Sequence, residues 1–246
     1  METNVYEQFA QLEDRHFWFL GRRNIFFDLL GRVLRGRNDL QILEVGCGAG
    51  GMLGPLARFG TVTGLDIAKD YVAYCHRRGH QRVLAGSGYE LPFRDQSFDL
   101  VAAFDTIEHI PDDGRVLREI RRVLKPGGRV FLSVPAYQFL YSQNDRVAHH
   151  QRRYTAHQLR ERLRAAGLTP QRLSYFNTFL FPLILPAVLV LKLKEKLFGL
   201  PEGQTNLSHS FAGPVNRAFA AVMSSEKLLL RHMEFPFGHS LLALAG

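Results

Sequence analysis

Cysteine is scarce. The chain has two thiols, Cys47 and Cys75, in 246 residues. They stand far apart, with no CxxC pair and no histidines at zinc-ligand spacing, which argues against a disulfide scaffold and a structural zinc site. A reducing, cytoplasmic setting fits this usage, and no metal is expected. Acidic side chains are also in short supply, 23 against 31 basic ones, for a formal charge of +8. The surplus allows an anionic partner, whether nucleic acid, phosphate or a membrane surface, without choosing among them. The N-terminus, Met1-Glu2-Thr3-Asn4, opens acidic and polar and has none of the basic and apolar blocks of a secretory signal. Long apolar runs are nearly absent. The charge-free stretch Leu173 to Leu191 approaches the ~20 residues that span a bilayer, but Asn177, Thr178, Pro182 and Pro186 interrupt it. What is present is ordinary for a globular chain: 46% hydrophobic and 22% charged residues, which excludes disorder and collagen-like repeats. The length suits one α/β-sized domain, residues 1–246, with extensions.

Hydrophobic periodicity divides the chain. Asn4 to Arg15 and Arg22 to Leu34 read as helices, the second with apolar residues at Ile25, Phe26, Leu29, Leu30 and Val33. Between them lies an aromatic knot, His16-Phe17-Trp18-Phe19. From Gln41 strands and helices alternate, with strands at Gln41–Val45, Thr61–Leu65, Arg82–Ala85, Phe98–Ala103 and Arg129–Val134. Helices are expected at Met52–Arg58, Ala68–Arg78 and Asp112–Leu124. This alternation implies a parallel sheet with right-handed crossovers. Tyr137 to Tyr154 is then a long polar and aromatic loop of the kind that carries function. Thr155 caps a helix, with Gln158 three positions on completing a capping box. Further on come a strand at Ser174–Phe179, a helix at Pro182–Phe198, a polar linker at Gly199–Ser210, a helix at Asn216–Met233 and a strand at Ser240–Ala245.

The chemistry concentrates first at Glu44-Val45-Gly46-Cys47-Gly48-Ala49-Gly50-Gly51, after a strand and before a helix. Glycines there let the backbone turn tightly and approach a ligand, and the helix start behind them presents free N–H groups. Gly46, Gly48 and Gly51 satisfy G-x-G-x-x-G, so a dinucleotide site is a rival reading. Asp66, at the end of the next strand, suits two ribose hydroxyls in either case. Glu44 separates the two: a carboxylate before the loop repels a pyrophosphate and attracts an ammonium. Leu124-Lys125-Pro126-Gly127-Gly128 precedes the fifth strand.

With these residues the sequence resembles the class I S-adenosylmethionine-dependent methyltransferases, in the methyltransferase type 11-like branch. The resemblance rests on Leu43–Gly51, Gly64-Leu65-Asp66, Leu91-Pro92-Phe93 before Ser97-Phe98-Asp99, Ile107-Glu108-His109-Ile110-Pro111-Asp112, and the Lys-Pro-Gly-Gly turn. It implies a Rossmann-like, doubly wound α/β fold of seven strands, the last, Ser240–Ala245, antiparallel. Residues 1–40 would form an N-terminal helical lid and 41–135 the cofactor-binding core. Residues 136–246 would supply the substrate-side loop, a C-terminal helical insertion and the closing strands. By the same resemblance Glu44 and the Gly46 backbone hold the methionine amino group, Gly48 leaves room, Asp66 takes the ribose and Ile67 packs on adenine. Cys47, Gly86, Phe104 and Asp105 complete the cofactor set, joined by Trp18 and Arg22 from the lid. The family's Asp in the Gly86-Ser87-Gly88 segment is replaced by Ser87, so the adenine amino contact is weaker or made by backbone. Trp18 has a bland alternative as ordinary packing between helix and sheet.

Methyl transfer needs an acceptor placed in line and, for a hydroxyl, a base. Beyond the strand ends the sequence offers His149, His150, Tyr154 and His109 as catalytic candidates, with Tyr137, Asp145, Arg152 and Arg153 to bind substrate. Imidazole titrates near neutrality and suits the role, but adjacent loop histidines are often only solvated. The arginines serve either to bind an anionic substrate or to pin the loop, and His109 either to order the turn or to move a proton. The helix at Pro182–Phe198 is apolar nearly all round until Lys192, Lys194 and Lys196. It is either buried, within the chain or in a homodimer through 173–198, or it meets lipid or a greasy substrate at a membrane surface.

The leading expectation is O-methylation of a small, hydrophobic or lipid/glycan-linked acceptor by a cytoplasmic enzyme, peripheral to the inner face of the membrane if the apolar helix meets lipid. The alternatives are an RNA methyltransferase and a non-catalytic cofactor-binding protein. Phe104-Asp105-Thr106-Ile107-Glu108-His109 lacks the Asn/Asp-Pro-Pro-aromatic of amino-methylating nucleic-acid enzymes, which argues against the first.

Overall fold

The computed structural model describes residues 12–198 and 211–246. Seven strands form one sheet: β1 (Leu40–Val45), β2 (Gly60–Asp66), β3 (Val83–Ala85), β4 (Phe98–Phe104), β5 (Leu124–Pro135), β6 (Pro170–Phe176) and β7 (Ser240–Ala245), in the spatial order 3-2-1-4-5-7-6. β1 to β5 pair in parallel, and β7 runs antiparallel between β5 and β6. This is the mixed, doubly wound sheet the sequence implied. The order reverses beside β1, where the chain leaves toward β2 and β3 and then returns on the other side as β4. That switch opens a crevice at the carboxyl ends of β1 and β4, the place where open α/β sheets bind ligands.

Helices cover both faces: α1 (Phe17–Val33), α2 (Leu53–Leu56), α3 (Lys69–Arg77), α4 (Asp113–Val123), α5 (Gln143–Val147), α6 (Ala156–Ala165), α7 (Phe181–Phe198) and α8 (Gly213–Leu230). α4 shows why they form. Asp112 caps it by accepting the Arg115 N–H at 2.9 Å, and Val116, Leu117, Ile120 and Val123 are buried while arginines face outward. α1 seats Phe26 in the core, stacked on Phe104 at 5.5 Å and meeting Phe131 and Phe176 at 5.1 Å each. Such ring pairs add specific geometry to a large burial of apolar surface.

Several boundaries moved from the sequence reading. α1 begins at Phe17, because the His16 ring nitrogen accepts the Trp18 N–H at 3.3 Å, so the aromatic knot is the helix's first turn. The Met52–Arg58 helix is shorter, ending as a single 3₁₀ turn at Ala57–Phe59. β6 (Pro170–Phe176) starts four residues earlier and ends three residues earlier than expected. It stops at Asn177, whose φ of +56° turns the chain and whose N–H is taken by buried Glu226 of α8 at 2.8 Å. The loop after β5 is not continuous coil: α5 lies inside it, started by a Ser142–Asp145 capping box. Most of the expected Asn4–Arg15 helix and the linker at 199–210 lie outside the described residues.

Candidate active site

The glycine loop leaves β1 through two glycines whose conformations suit no other residue well. Gly46 has φ +71°, and a Cβ there would stand 2.7 Å from Thr106 Oγ1. Gly48, at φ +52°, donates its N–H to Asp66 Oδ2 at 2.8 Å, while Ala68 N–H reaches Asp66 Oδ1 at 2.9 Å. The Asp66 carboxylate is thereby fixed at the tip of β2. Burial pushes its pKa up, and those N–H groups oppose the shift. Glu44 is 2% exposed, and its Oε2 has no hydrogen-bond partner among the described residues. Burial, reinforced by nearby Glu13, raises its pKa well above the ordinary carboxylate range; Arg22 pulls the other way. An unpaired buried carboxyl is costly, and a bound cation is what would relieve it.

The other cofactor candidates divide. Ile67 is 78% exposed at the mouth of the crevice. Gly86 N–H donates to the Asp66 carbonyl at 2.9 Å, and Ser87 Oγ accepts the Tyr89 N–H at 3.2 Å, so both line the loop after β3. Two side chains face away from the crevice. Phe104 is in the core under α1. Cys47 is buried against Cys75 and Gly64, and its hydrogen bond to Cys75 together with burial drives its thiol pKa far up. Only their main chain lies along the loop path. α1 meets the end of β4 through its first turns: Trp18 lies 4.3 Å from the Arg22 guanidinium, and Arg22 forms an ion pair with Asp105. Glu13, which the sequence reading passed over, has its carboxylate against Gly51, with Arg78 at 4.0 Å.

The 137–154 loop is locked by one buried carboxylate. Asp145 accepts from Ser142 N at 2.8 Å and Arg153 Nε at 2.7 Å, and it pairs with His150 Nδ1 at 2.8 Å. Burial opposes its ionisation, yet His150 and Arg153 hold its carboxyl well below the usual range. Asp145 and Arg153, expected to touch substrate, thus face each other. Arg153 also donates to the Ala136 carbonyl at 3.2 Å and is a pin of the loop. Arg152 bonds the Pro111 carbonyl at 2.7 Å and lies 3.2 Å from Asp113. Tyr154, offered as a base, is buried with its hydroxyl donating to Asp113 Oδ2 at 2.7 Å. Burial and that carboxylate push its pKa up, so it is poorly suited to take a proton. Tyr137 stacks on Tyr175 at 5.1 Å. His149 is exposed, with φ +60°.

Two histidines do come together. The rings of His109 and His150 meet edge to face at 4.6 Å, and Glu108 joins them, with one donor atom from each of the three residues within 4.8 Å of the others. Burial and the neighbouring His150 lower the His109 pKa to about 4, so its imidazole is neutral at physiological pH. Glu108 was part of a motif in the sequence but had no role assigned. A carboxylate directly beside His109, just past the end of the fourth strand, was the available signal. α7 borders this loop: Lys192 Nζ donates to the Phe139 carbonyl at 2.6 Å, and Arg146 pairs with Glu195. Leu183 and Leu197 of that helix are each 63% exposed. No described helix is long and apolar enough to cross a membrane.

Comparison with known proteins finds methyltransferases among the relatives of this chain. Residues 43–132 match the family model described as a methyltransferase domain. A 27-O-demethylrifamycin SV methyltransferase from Amycolatopsis mediterranei is 34% identical over 164 residues, which is 58% of this chain and 59% of that protein. A fatty-acid O-methyltransferase from Mycolicibacterium smegmatis is 39% identical over 94 residues, 36% of this chain and 34% of that protein. The chain therefore spans less than two thirds of the length of either relative. The solved structure of an S-adenosylmethionine-dependent methyltransferase from Archaeoglobus fulgidus superposes with a TM-score of 0.59 over 96% of this chain and 98% of that one. At 17% identity this likeness carries the fold alone.

Proposed function

With residues 43–132 belonging to the class I S-adenosylmethionine-dependent methyltransferases, we propose that the chain methylates a hydroxyl oxygen of a hydrophobic or lipid- or glycan-linked acceptor. The observation that carries cofactor use is the orphaned, buried Oε2 of Glu44 beside a glycine loop whose Gly48 has open space where a Cβ would stand. The residues present fit S-adenosylmethionine. Glu44 would meet its ammonium, the fixed Asp66 carboxylate its ribose hydroxyls, and the Gly86–Ser87 segment its adenine. When bound, the cofactor supplies a methyl group activated by a positively charged sulfur.

The protein's part is to bind, orient and dry the acceptor, and to take the hydroxyl proton. Proton removal falls to the cluster of Glu108, His109 and His150, since Tyr154 is engaged with Asp113 and His149 points to solvent. Asp145 orients His150, and Arg153 orients Asp145. Two facts favour a greasy acceptor: the leucine-rich α7 borders the acceptor loop, and two relatives bear the names of O-methyltransferases, one of a fatty acid. Lys194 and Lys196 on that helix suit an anionic membrane surface that would present such an acceptor to a cytoplasmic enzyme. Isotopically labelled cofactor, incubated with the protein and host extract, should put label into the lipid fraction as an alkali-stable ether, whereas an alkali-labile ester would replace the hydroxyl with a carboxylate acceptor. Label confined to water-soluble compounds would remove the greasy acceptor, and no transfer at all would remove the activity.

A further inference from the structure

Three donor groups converge beyond the end of β4 without satisfying one another. Glu108 is fully buried, and neither of its carboxylate oxygens has a hydrogen-bond partner among the described residues. His109 and His150 stand beside it, with one ligand atom from each residue within 4.8 Å of the others. One imidazole is oriented from behind. The Asp145 carboxylate holds His150 through Nδ1, which fixes that nitrogen and turns Nε2 away from Asp145. The His109 ring packs edge to face against that imidazole at 4.6 Å. A carboxylate behind a histidine is the outer-shell arrangement that directs imidazole onto a metal.

We propose that Glu108, His109 and His150 bind a divalent transition-metal ion, of the zinc or manganese kind, beside the acceptor site. The choice of ion follows from the donors: two imidazoles and one carboxylate suit these cations, whereas calcium and magnesium take oxygen. Ligand atoms at about 2.0–2.2 Å from an ion stand roughly 3–4 Å apart, so the site closes with small side-chain rotations. Charge agrees. The nearby Asp105, Glu108 and Asp145 outnumber Arg22 and Arg153, and both guanidiniums are engaged with carboxylates other than Glu108. Three protein ligands leave a position for an acceptor oxygen. With the ion bound, the cluster would promote proton loss through the metal and not as the base itself: a hydroxyl held there would be more acidic, its proton leaving to water and the O–H electron pair staying on the oxygen.

This inference departs from the expectation of a metal-free enzyme, and it rests on the methyl-transfer reading for its role though not for its existence. The test is direct binding. Full-length protein stripped with chelator is titrated with Mn2+, followed by the loss of the free-ion electron paramagnetic resonance signal, and separately with Zn2+ by calorimetry. Wild type should take one ion per chain. Glu108→Gln and His109→Gln should each weaken binding at least a hundredfold, and Asp145→Asn, acting through His150, roughly 10–100-fold. Should one ligand variant fail to fold, the other carries the comparison. Unchanged binding in both ligand variants, or none in wild type, overturns the site. Methyl transfer that persists after chelation, without metal binding, removes this inference and leaves the proposed function standing. Stoichiometric metal binding without transfer to any hydroxyl does the reverse.

Discussion

The two halves of the molecule handle their carboxylates in opposite ways. On the cofactor side, Glu44 is buried next to Glu13 with an oxygen unpaired, and its environment favours protonation. On the acceptor side, Asp145 is equally buried but meets a guanidinium, an imidazole and a backbone N–H, and its environment favours charge. A buried acid without partners is stabilised by a positively charged ligand, whereas one with all its partners is a piece of scaffold. The same contrast separates Glu108 from Asp145 within a single loop cluster. Residue type marks where charge was placed in this protein, and partner count tells which charges await something.

Substitutions should pull these halves apart. The largest effect is expected for Gly46→Ala. Its φ of +71° and the 2.7 Å approach to Thr106 combine left-handed strain of about 1–2 kcal/mol with overpacking of about 1–3 kcal/mol. Calorimetry with the demethylated cofactor should show binding lost, and the melting temperature should fall by several degrees. Asp145→Asn should act on the other half only, with turnover down about a hundredfold and cofactor affinity within about twofold of wild type. Equal losses in both measurements would erase the division. A subtler contrast lies at Glu226, whose carboxyl burial pushes up to about 7. Folding favours its protonated form, so the stability it contributes is complete below the ordinary carboxylate range and is lost as pH rises through about 7. Melting curves across that range should show the decline, and Glu226→Gln should flatten it. The smallest effect is expected at the exposed face of α7. Leu193, 56% exposed, should tolerate serine with stability changed by less than about 0.5 kcal/mol, while vesicle or hydrophobic-acceptor binding weakens.

The core was legible because its signals are local. Alternating periods announced β1 to β5, and β7 lies at the expected residues. The glycine loop, Glu44 and Asp66 sit within one strand–loop–strand passage, where spacing alone sets their geometry. The acceptor half was less legible. Its α5 is a short helix inside what reads as coil, and the end of β6 depends on Glu226 from a helix far along the chain. Of the residues the sequence offered for substrate and base, His109 and His150 meet in the structure, whereas Arg153 and Tyr154 turn inward to buried carboxylates.

Periodicity and short motifs by themselves determined most of the strands and helices, their order along the chain and the cofactor loop, since those depend on neighbours a few residues apart, while the seven-stranded sheet with its antiparallel strand followed from the resemblance. Only the tertiary structure decided which polar groups are satisfied. That Glu108 stands beside two histidines without a hydrogen-bond partner among the described residues, and that Asp145 is paired, depends on contacts between the end of β4 and the 142–153 segment. Burial and pairing are sums over the whole surroundings of an atom, and no stretch of sequence contains them.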